Sequence, residues 1–335
     1  MSILSANKVQ MAFGFTRRRG LGVERKLVHA VNDVSFSVNT GESFGIVGES
    51  GSGKSTLARL ILGLGKPTSG NITYLGQDIS TLSTAGLRNH WQDVQIIFQD
   101  PFSSLNPHMR IGAVLTEPLR NFLQLSPARC KERVDELLNL VGLPNSAGLR
   151  YPHELSGGQR QRVAIAAALA ANPKIIVADE AVSALDVSIQ AQIINLLIEL
   201  RERLGLTYVF ITHDLNLCSY FCDRIAVLYL GQVMEICNSD RLLAEPLHPY
   251  TRALVSAIPS VDVTHRRART ILAGEIPSPI DLPPGCPFQA RCQLAIPRCR
   301  DERPKLVDIG NARSIACHVV AASYVHPNLT IEATC

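Results

Sequence analysis

Two hydrophobic periods alternate along the chain. Apolar residues alternate with polar ones from Val28 to Val38 and then form the continuous run Phe44–Val47, which predicts a half-buried strand followed by a buried one. Directly afterwards, apolar positions three and four residues apart from Thr56 to Leu64 predict a helix. Similar patterns predict further strands and one long helix, at Val94–Phe98, Lys174–Ala178, Tyr208–Thr212, Ile225–Tyr229 and Ile189–Leu204. Strands that alternate with helices are typical of an α/β fold with a mostly parallel sheet.

The pattern changes at two places, and these changes indicate the domain organisation. Between Pro107 and Leu155 the strand signals disappear, so we expect a helical subdomain over about residues 107–160, inserted in the α/β core. After Ile258 prolines become frequent, and four of the nine cysteines lie between residues 286 and 317. A chain of 335 residues is long enough for two domains. We therefore expect a main domain over residues 1–258 and a loop-rich C-terminal extension over residues 259–335.

Composition and charge exclude several classes of protein. The net charge is only +4, and the short arginine clusters are not interleaved with aromatic residues, so nucleic acid is not the favoured partner. The longest apolar stretch, Val163–Ala171, is far shorter than the roughly 20 residues needed to cross a bilayer. The segment Met1–Gln10 lacks the apolar core of a signal peptide. We expect a cytosolic protein with reduced thiols, for which metal binding and simple burial compete as explanations of the cysteines.

The segment Gly48–Ser55, with the letters GESGSGKS, has the spacing of a phosphate-binding loop and lies between a predicted strand and a predicted helix. Its glycines allow successive backbone amides to surround phosphate oxygens. We expect Lys54 to reach the terminal phosphates and Ser55 to bind Mg²⁺. The predicted nucleotide contacts in this segment are Gly48, Ser50, Gly51, Gly53, Lys54, Ser55 and Thr56.

Two adjacent carboxylates, Asp179 and Glu180, end a predicted buried strand. By itself such a pair is more often the N-cap of a helix. Downstream of a phosphate-binding loop it instead favours a Mg²⁺ ligand followed by a residue that orients or deprotonates the attacking water. We predict that Asp179 is the metal-side carboxylate and that Glu180 is the catalytic base.

The segment Leu155–Gln159, with the letters LSGGQ, resembles the highly specific signature motif of ABC ATPases. Three further segments follow in the order that this family has. Gln99 resembles the residue of the Q-loop, Ser183–Asp186 resembles the D-loop, and Thr212–Asp214 resembles the segment with the switch histidine, His213. The resemblance covers roughly Ser2–Ser260 and implies a P-loop, ABC-type nucleotide-binding domain.

The resemblance also implies a dimer in which two ATP molecules lie between facing subunits, so that each ATP site is composite. One side of the site would consist of Lys54, Ser55, Gln99, Asp179, Glu180 and His213, with Gln99 also a Mg²⁺ ligand. The signature residues Ser156, Gly157, Gly158 and Gln159 would reach into the site of the partner. For His213 alone, a hydrogen-bonded structural residue is the ordinary alternative.

An aromatic residue before the phosphate-binding loop stacks on adenine in this family, and Phe13 or Phe15 fits, with Phe13 preferred for its position after the first apolar strand. A buried core phenylalanine is the alternative. The chain departs from the family pattern at Ala167, where arginine is expected, and at Ala181, where proline is commoner. Neither change removes a group that touches phosphate, although both affect the expected local rigidity.

The segment His248–Leu254 and the cysteine-rich end resemble the C-terminal extension of oligopeptide and dipeptide importer ATPases, which nickel importers partly share. In related ATPases such a quartet of cysteines holds a four-iron four-sulfur cluster. Zinc is the alternative, although the cysteine spacings are wider than zinc sites usually have, and unligated buried thiols are a third possibility. The candidate ligands are Cys286, Cys292, Cys299 and Cys317. Cys218 and Cys222 lie on an apolar face, and we expect them simply to be buried.

The resemblance therefore implies an ATP-hydrolysing subunit of an ABC importer for di- or oligopeptides or a related small solute, peripheral on the cytoplasmic face of the inner membrane. The expected partners are a second ABC ATPase, two transmembrane permeases and an extracytoplasmic solute-binding protein, with a heterodimer favoured over a homodimer. The sequence leaves nickel complexes, glutathione-like molecules and opines open as solutes. A soluble ABC ATPase acting on nucleic acid or the ribosome is the alternative, disfavoured because the chain has one core and no heptad run.

Overall fold

The computed structural model describes residues 2–19, 22–100, 104–258, 272 and 274–325. Its strands are β1 Ser2–Arg19, β2 Gly22–Asn39, β3 Ser43–Val47, β4 Ser69–Tyr74, β5 Gln77–Asp78, β6 Val94–Ile97, β7 Ile175–Asp179, β8 Thr207–Thr212, β9 Arg224–Tyr229, β10 Gln232–Asn238, β11 Val307–Asp308 and β12 Ser314–Ile315. Its α-helices are α1 Lys54–Ile61, α2 Thr84–Asp93, α3 Ile111–Leu123, α4 Pro127–Leu140, α5 Gly157–Leu169, α6 Val187–Leu204, α7 Leu215–Phe221, α8 Ser239–Ala244, α9 Pro249–Ser256, α10 Arg298–Asp301 and α11 His318–Val325.

The larger of the two sheets has the strand order β11-β12-β10-β9-β3-β8-β7-β6. Its centre, from β9 to β6, is parallel, which confirms the predicted parallel α/β core. The strands β3 and β8 are buried along their whole length, as continuous apolar runs covered on both faces should be. Because these strands are parallel, the segments that follow β3, β7 and β8 all begin at one edge of the sheet. This edge carries the candidate site.

Side chains of the larger sheet point alternately into two hydrophobic cores. One core contains Val177 and Ile211 together with Leu57 of α1 and residues of the smaller sheet. The other contains Ile176 and Phe210 together with residues of α5 and α6. The two-residue period of a strand thus divides the apolar side chains between the two faces. The phosphate-binding loop is fixed between β3 and α1, which contribute Phe44, Ile46 and Leu57 to the first core.

The smaller sheet has the strand order β2-β1-β4-β5 and is antiparallel. The sequence predicted the part of β2 from Val28 onward but not the complete sheet. The reason is visible in β4, whose letters SGNITY carry only two buried side chains, and in β5, which has two residues. Strands this short and polar give no periodic signal, and pairing with β1 defines them instead.

The segment between β6 and β7 is helical, as the missing strand signals predicted. The helices α3, α4 and α5 pack on one another through buried leucines, among them Leu115 and Leu137. Residues 104–174, all of which the structure describes, contain no strand. None of the helices that the structure describes is long and apolar enough to cross a membrane.

The C-terminal extension attaches to the edge of the larger sheet. β12 pairs antiparallel with β10, where Glu235 lies opposite Ile315, and β11 pairs with β12. A buried ion pair also links these two strands. Arg313, which directly precedes β12, places its Nη2 2.5 Å from Oε1 of Glu235 on β10. The described part of the extension therefore shares a sheet with the main domain.

Candidate functional site

The carboxyl edge of the parallel strands brings together the phosphate-binding loop, the carboxylate pair and the histidine. Ser55 Oγ donates a hydrogen bond of 3.2 Å to Asp179 Oδ1, which joins the start of α1 to the end of β7. The Glu180 N–H donates to the carbonyl of Ile211 on β8, and His213 Nδ1 lies 3.5 Å from Glu180 Oε2. Residues that are distant in the sequence thus meet because their strands are neighbours in the sheet.

Two glycines of the loop are required by its close packing. At Gly48 a Cβ atom would collide with the carbonyl oxygen of Leu228, and at Gly53 it would collide with that of Ala30. Gly53 also has a φ of +96°, in the left-handed region that favours glycine. Gly53 immediately precedes α1, so its backbone aims the first amides of that helix into the loop.

Lys54 is buried, and its ammonium group lies across the loop. Nζ donates to the carbonyl oxygens of Gly48, at 2.8 Å, and Glu49, at 3.0 Å. Burial lowers the pKa of Lys54, and the negative charges of Glu180 and Asp179 oppose this shift. The cation is therefore partly desolvated and faces two carboxylates, an arrangement that suits binding of a further anionic group together with a divalent cation.

The carboxylate pair forms a turn and caps no helix. The next helix, α6, begins at Val187 with Asp186 at its N-cap position, so the alternative of an N-cap pair is wrong. Burial raises the pKa of Asp179, while its hydrogen bond from Ser55 acts in the opposite direction. Glu180 has a φ of +49°, which is rare for a residue with a side chain and costs on the order of 1–3 kcal/mol. Backbone strain of this kind is concentrated at functional sites.

The two departures from the family pattern fill space in the core. Ala181, directly after Glu180, is buried, and Ala167 packs against the core from the middle of α5.

His213 follows β8 and is accessible, with 59% of its side chain exposed. Its described contact is the carboxylate of Glu180. The neighbouring Asp214, and not His213, caps α7. Its Oδ1 accepts hydrogen bonds from the N–H groups of Asn216 and Leu217. His213 is therefore an exposed polar group beside the carboxylate pair.

The signature segment begins α5 with a capping box. Ser156 Oγ accepts from the Gln159 N–H at 3.3 Å, and the Ser156 N–H donates to Gln159 Oε1 at 3.1 Å. Ser156 and Gly157 are exposed, whereas a Cβ on Gly158 would press on the Ile189 side chain. These four residues form the N-terminus of α5, which is exposed at Ser156 and Gly157.

Two other predicted site residues are also exposed. Gln99 follows β6 at the same edge of the sheet. Phe13 lies on β1 opposite Val28, and 44% of its surface is exposed, so the alternative of a buried core phenylalanine is wrong. Phe15, the second candidate, is half-buried.

The structure adds two contacts to the phosphate-binding loop that the sequence did not indicate. The Glu49 N–H donates to Tyr250 Oη at 3.2 Å, and Arg291 Nη1 lies 3.0 Å from Glu49 Oε2. Arg291 belongs to the C-terminal extension. No local spacing joins residues so far apart, and only the fold reveals the contact.

The four cysteines of the extension gather in one place. The Cys286 N–H donates to the carbonyl of Cys299 at 2.8 Å, and Cys299, Cys292 and Cys317 lie close enough that a negative charge on any of them would raise the pKa of Cys286. Burial raises the pKa of Cys286 to about 12. No group of three or more His, Cys, Asp or Glu side chains in the described ranges could hold a metal ion as arranged. The predicted iron–sulfur or zinc site is therefore not supported by the arrangement of the described side chains.

Cys218 and Cys222 are both buried, with their sulfur atoms 3.6 Å apart, which confirms the prediction for this pair.

Comparison with known proteins identifies the family. Residues 31–183 match the family model described as ABC transporter, and residues 234–299 match the one described as oligopeptide/dipeptide transporter, C-terminal region. The chain is 49% identical to the probable peptide ABC transporter ATP-binding protein y4tS of Sinorhizobium fredii, over 90% of this chain and 86% of that protein. It is also 49% identical to the oligopeptide transport ATP-binding protein AppF of Bacillus subtilis, over 91% of this chain and 94% of that protein.

A solved structure agrees with this assignment. The dimeric structure of the ATP-binding cassette MJ0796 in a post-hydrolysis state, bound to ADP and Pi, matches with a TM-score of 0.59 and 31% identity, over 70% of this chain and 98% of that one. The chain belongs to the ATP-binding, ATP-hydrolysing subunits of ABC transporters, in the oligopeptide/dipeptide family.

Proposed function

We propose that this subunit hydrolyses ATP at the cluster around Lys54 and thereby drives import of di- or oligopeptides. The observation that carries the site assignment is the convergence of Ser55, Asp179, Glu180 and His213 on the loop that holds Lys54. Among the solutes left open by the sequence, peptide is favoured because the relatives y4tS and AppF are named for peptide and oligopeptide transport.

Each residue of the cluster has a chemical role in this proposal. Amides of the loop residues Gly48, Ser50, Gly51, Gly53 and Thr56, with the Lys54 ammonium, bind and orient the phosphates. Ser55, Asp179 and Gln99 would hold Mg²⁺, which neutralises charge that develops during phosphoryl transfer. Glu180 accepts a proton from the attacking water, and His213 stabilises the γ-phosphate and keeps the water in place. Phe13 stacks on adenine with its exposed ring.

A dimer completes the site. The exposed Ser156 and Gly157, with Gly158 and Gln159, would contact the ATP held by a partner subunit, since a helix N-terminus with an exposed serine suits an anion. We infer a heterodimer with a related ATPase, docked under two permeases at the cytoplasmic face of the inner membrane and served by an extracytoplasmic solute-binding protein. The helical subdomain, about residues 107–160, and Gln99 would couple dimer closure to the permeases. Residues 1–258 would form the ATPase domain, and residues 259–335 the extension.

Affinity purification from detergent-solubilised membranes tests the assembly. We expect two permeases and a second ATPase to accompany this chain, identified by mass spectrometry, and we expect the complex to hydrolyse ATP. The peptide assignment gains support if the associated binding protein carries a peptide. Recovery from the soluble fraction with ribosomal or DNA-repair proteins would contradict the importer and favour the nucleic-acid alternative.

We further propose that the cysteine quartet binds a four-iron four-sulfur cluster, with zinc as the alternative. Four thiols that influence one another in a module with few core residues support it, because a metal centre stabilises a small domain. Binding requires the sulfurs to deprotonate and to adopt an arrangement that can ligate a metal. Cys286, Cys292, Cys299 and Cys317 would hold the cluster as a structural staple.

Metal analysis of anaerobically purified protein tests this second proposal. We expect brown protein with visible absorbance and about four iron and four sulfide per chain, lost when Cys299 is replaced by serine. The matched control is Cys218→Ser, a buried thiol outside the quartet, which should retain the colour. Colourless protein with stoichiometric zinc would establish the alternative, and metal-free protein would show that the thiols are unligated.

A further inference from the structure

The second residue of the phosphate-binding loop, Glu49, is held through three of its groups. Its N–H donates to Tyr250 Oη at 3.2 Å, and its carbonyl oxygen accepts from Lys54 Nζ at 3.0 Å. Its carboxylate lies against Arg291, whose Nη1 is 3.0 Å from Oε2 and 3.3 Å from Oε1. The backbone at Glu49, which accepts a hydrogen bond from the Lys54 ammonium, is thus held in place by Tyr250 and Arg291, two residues outside the ATPase motifs.

Arg291 is itself fixed by its surroundings. Only 9% of its side chain is exposed, its guanidinium lies 5.8 Å from the centre of the Tyr229 ring, and Nη1 also contacts Tyr229 Oη at 3.4 Å. Tyr229, Tyr250 and Phe288 pack against one another beside it, with ring centres 4.8 to 5.4 Å apart. A nearly buried arginine packed against aromatic rings can adopt few conformations. Arg291 can therefore fix the position of the Glu49 side chain in addition to neutralising its charge.

Arg291 lies next to the cysteine quartet in the sequence. Arg291 ends the short 3₁₀-helix Gln289–Arg291 and directly precedes Cys292 of the cysteine quartet. A rearrangement at Cys292 would therefore act on the residue directly bonded to Arg291. The ion pair connects the extension to the loop without an intervening residue.

The extension also contacts β2. The His29 N–H donates to the carbonyl of Pro279 at 2.9 Å, and Lys26 Nζ lies 3.5 Å from Asp281. His29 and Lys26 lie on β2, on either side of the segment with Val28, which is paired with Phe13 on β1. Residues 279–291 thus contact both the phosphate-binding loop and the strand behind the candidate adenine-stacking ring.

We propose that Arg291 is a positioning residue for ATP binding, which acts through Glu49 to hold the phosphate-binding loop and links its geometry to the state of the C-terminal cysteine module. The proposal rests on the assignment of Lys54 and its loop to ATP. Arg291 is not among the residues assigned to the nucleotide or to Mg²⁺, and its side chain contacts Glu49 and Tyr229. Its effect passes through the Glu49 peptide to the ammonium of Lys54, and a small displacement there weakens phosphate contacts.

Binding of Mg²⁺ and the non-hydrolysable analogue AMP-PNP to the purified full chain tests the proposal. Arg291→Gln and Glu49→Gln should each weaken binding by at least about fivefold, the lower range of coupling between distinct sites. Arg291→Lys should recover most of the affinity, because one nitrogen makes all the polar contacts of Arg291 to Glu49 and Tyr229. In the assembled transporter the KM for ATP should rise while kcat changes little.

The double variant separates positioning through Glu49 from a general structural effect. If Arg291 acts through Glu49, the pair of substitutions together should weaken binding no more than either alone. Additive effects would overturn the proposal. The matched control is Arg298→Gln, which removes an exposed ion pair with Glu302 from the same extension and should leave affinity unchanged. Should Arg291→Gln fail to fold, Tyr250→Phe, which removes the acceptor of the Glu49 N–H, should still weaken binding, and unchanged binding would count against the proposal.

Wild-type binding distinguishes the two possible failures. A wild-type chain that binds no AMP-PNP contradicts the assignment of the nucleotide site. A wild-type chain that binds it, with Arg291→Gln binding equally well, leaves that assignment intact and contradicts the role of Arg291.

Discussion

The Glu180→Gln chain is expected to bind MgATP normally and, in the assembled transporter, to hydrolyse it at least about a hundredfold more slowly. A positioned general base contributes typically 10²–10⁴-fold to a rate. The substitution keeps the size and shape of the side chain, so the strained turn with φ of +49° and the contact with His213 should persist. Because only the proton acceptor is lost, ATP should accumulate in the site, and the dimer should be trapped in its closed form.

Turnover, nucleotide retention and oligomeric state measure this outcome on one preparation. We expect released phosphate at background level, ATP retained through gel filtration, and a dimer that requires ATP. Glu199→Gln is the matched control, since it makes the same chemical change at an exposed α6 carboxylate paired with Arg203. Turnover of Glu180→Gln equal to that of the control would show that another group accepts the proton.

Local patterns predicted the parts of the site that follow from a single strand–loop–helix unit. The apolar run before Gly48 and the helical spacing after Ser55 placed the phosphate-binding loop in the fold. The apolar run before Asp179 similarly placed the carboxylate pair at a strand end. These elements form because burial of a continuous apolar strand determines where the chain must turn back. The edge at which the side chains meet then follows from the parallel arrangement.

Contacts between distant segments could not be predicted in this way. The pairing of β4 with β1 and the contact of Arg291 with Glu49 depend on how complete strands and helices pack on one another. Neither contact leaves a periodic pattern in the sequence. The exposure of Phe13 is a further example, because an aromatic residue on a strand fits a core and a surface equally well by sequence. The cysteine spacing correctly drew attention to one module, but spacing does not determine the distances between sulfur atoms.

Joining of the extension to the main sheet makes the two parts energetically dependent. β12 continues the sheet beyond β10, and the rings of Tyr229, Tyr250 and Phe288 fill the space behind the phosphate-binding loop. Residues of the ATPase core and of the extension therefore share one hydrophobic cluster. Damage to the extension should lower the stability of the nucleotide site as well as its own.

Arg313→Leu should show this dependence with a loss of about 3–5 kcal/mol in the free energy of unfolding, the cost of leaving a buried charge without its partner. Glu235 is fully buried and Arg313 is 6% exposed, and Arg313 Nε and Nη2 donate to the same carboxylate oxygen. Arg313 also donates to the carbonyl of Glu245. Without the cation, the Glu235 carboxylate keeps only the backbone N–H groups of Leu247 and His248. Denaturant unfolding followed by far-UV circular dichroism measures the loss.

A second substitution identifies the cause of that loss. Combining Arg313→Leu with Glu235→Gln removes the stranded charge while an amide oxygen remains for the two backbone donors, so part of the stability should return. The exposed arginine variant Arg298→Leu is the matched control for loss of an ion pair from the extension, and its unfolding midpoint should equal that of the wild type. If Arg313→Leu unfolds at the midpoint of this control, the strand pairing of β10 with β12 and the shared apolar cluster, rather than the buried ion pair, hold the extension to the ATPase core.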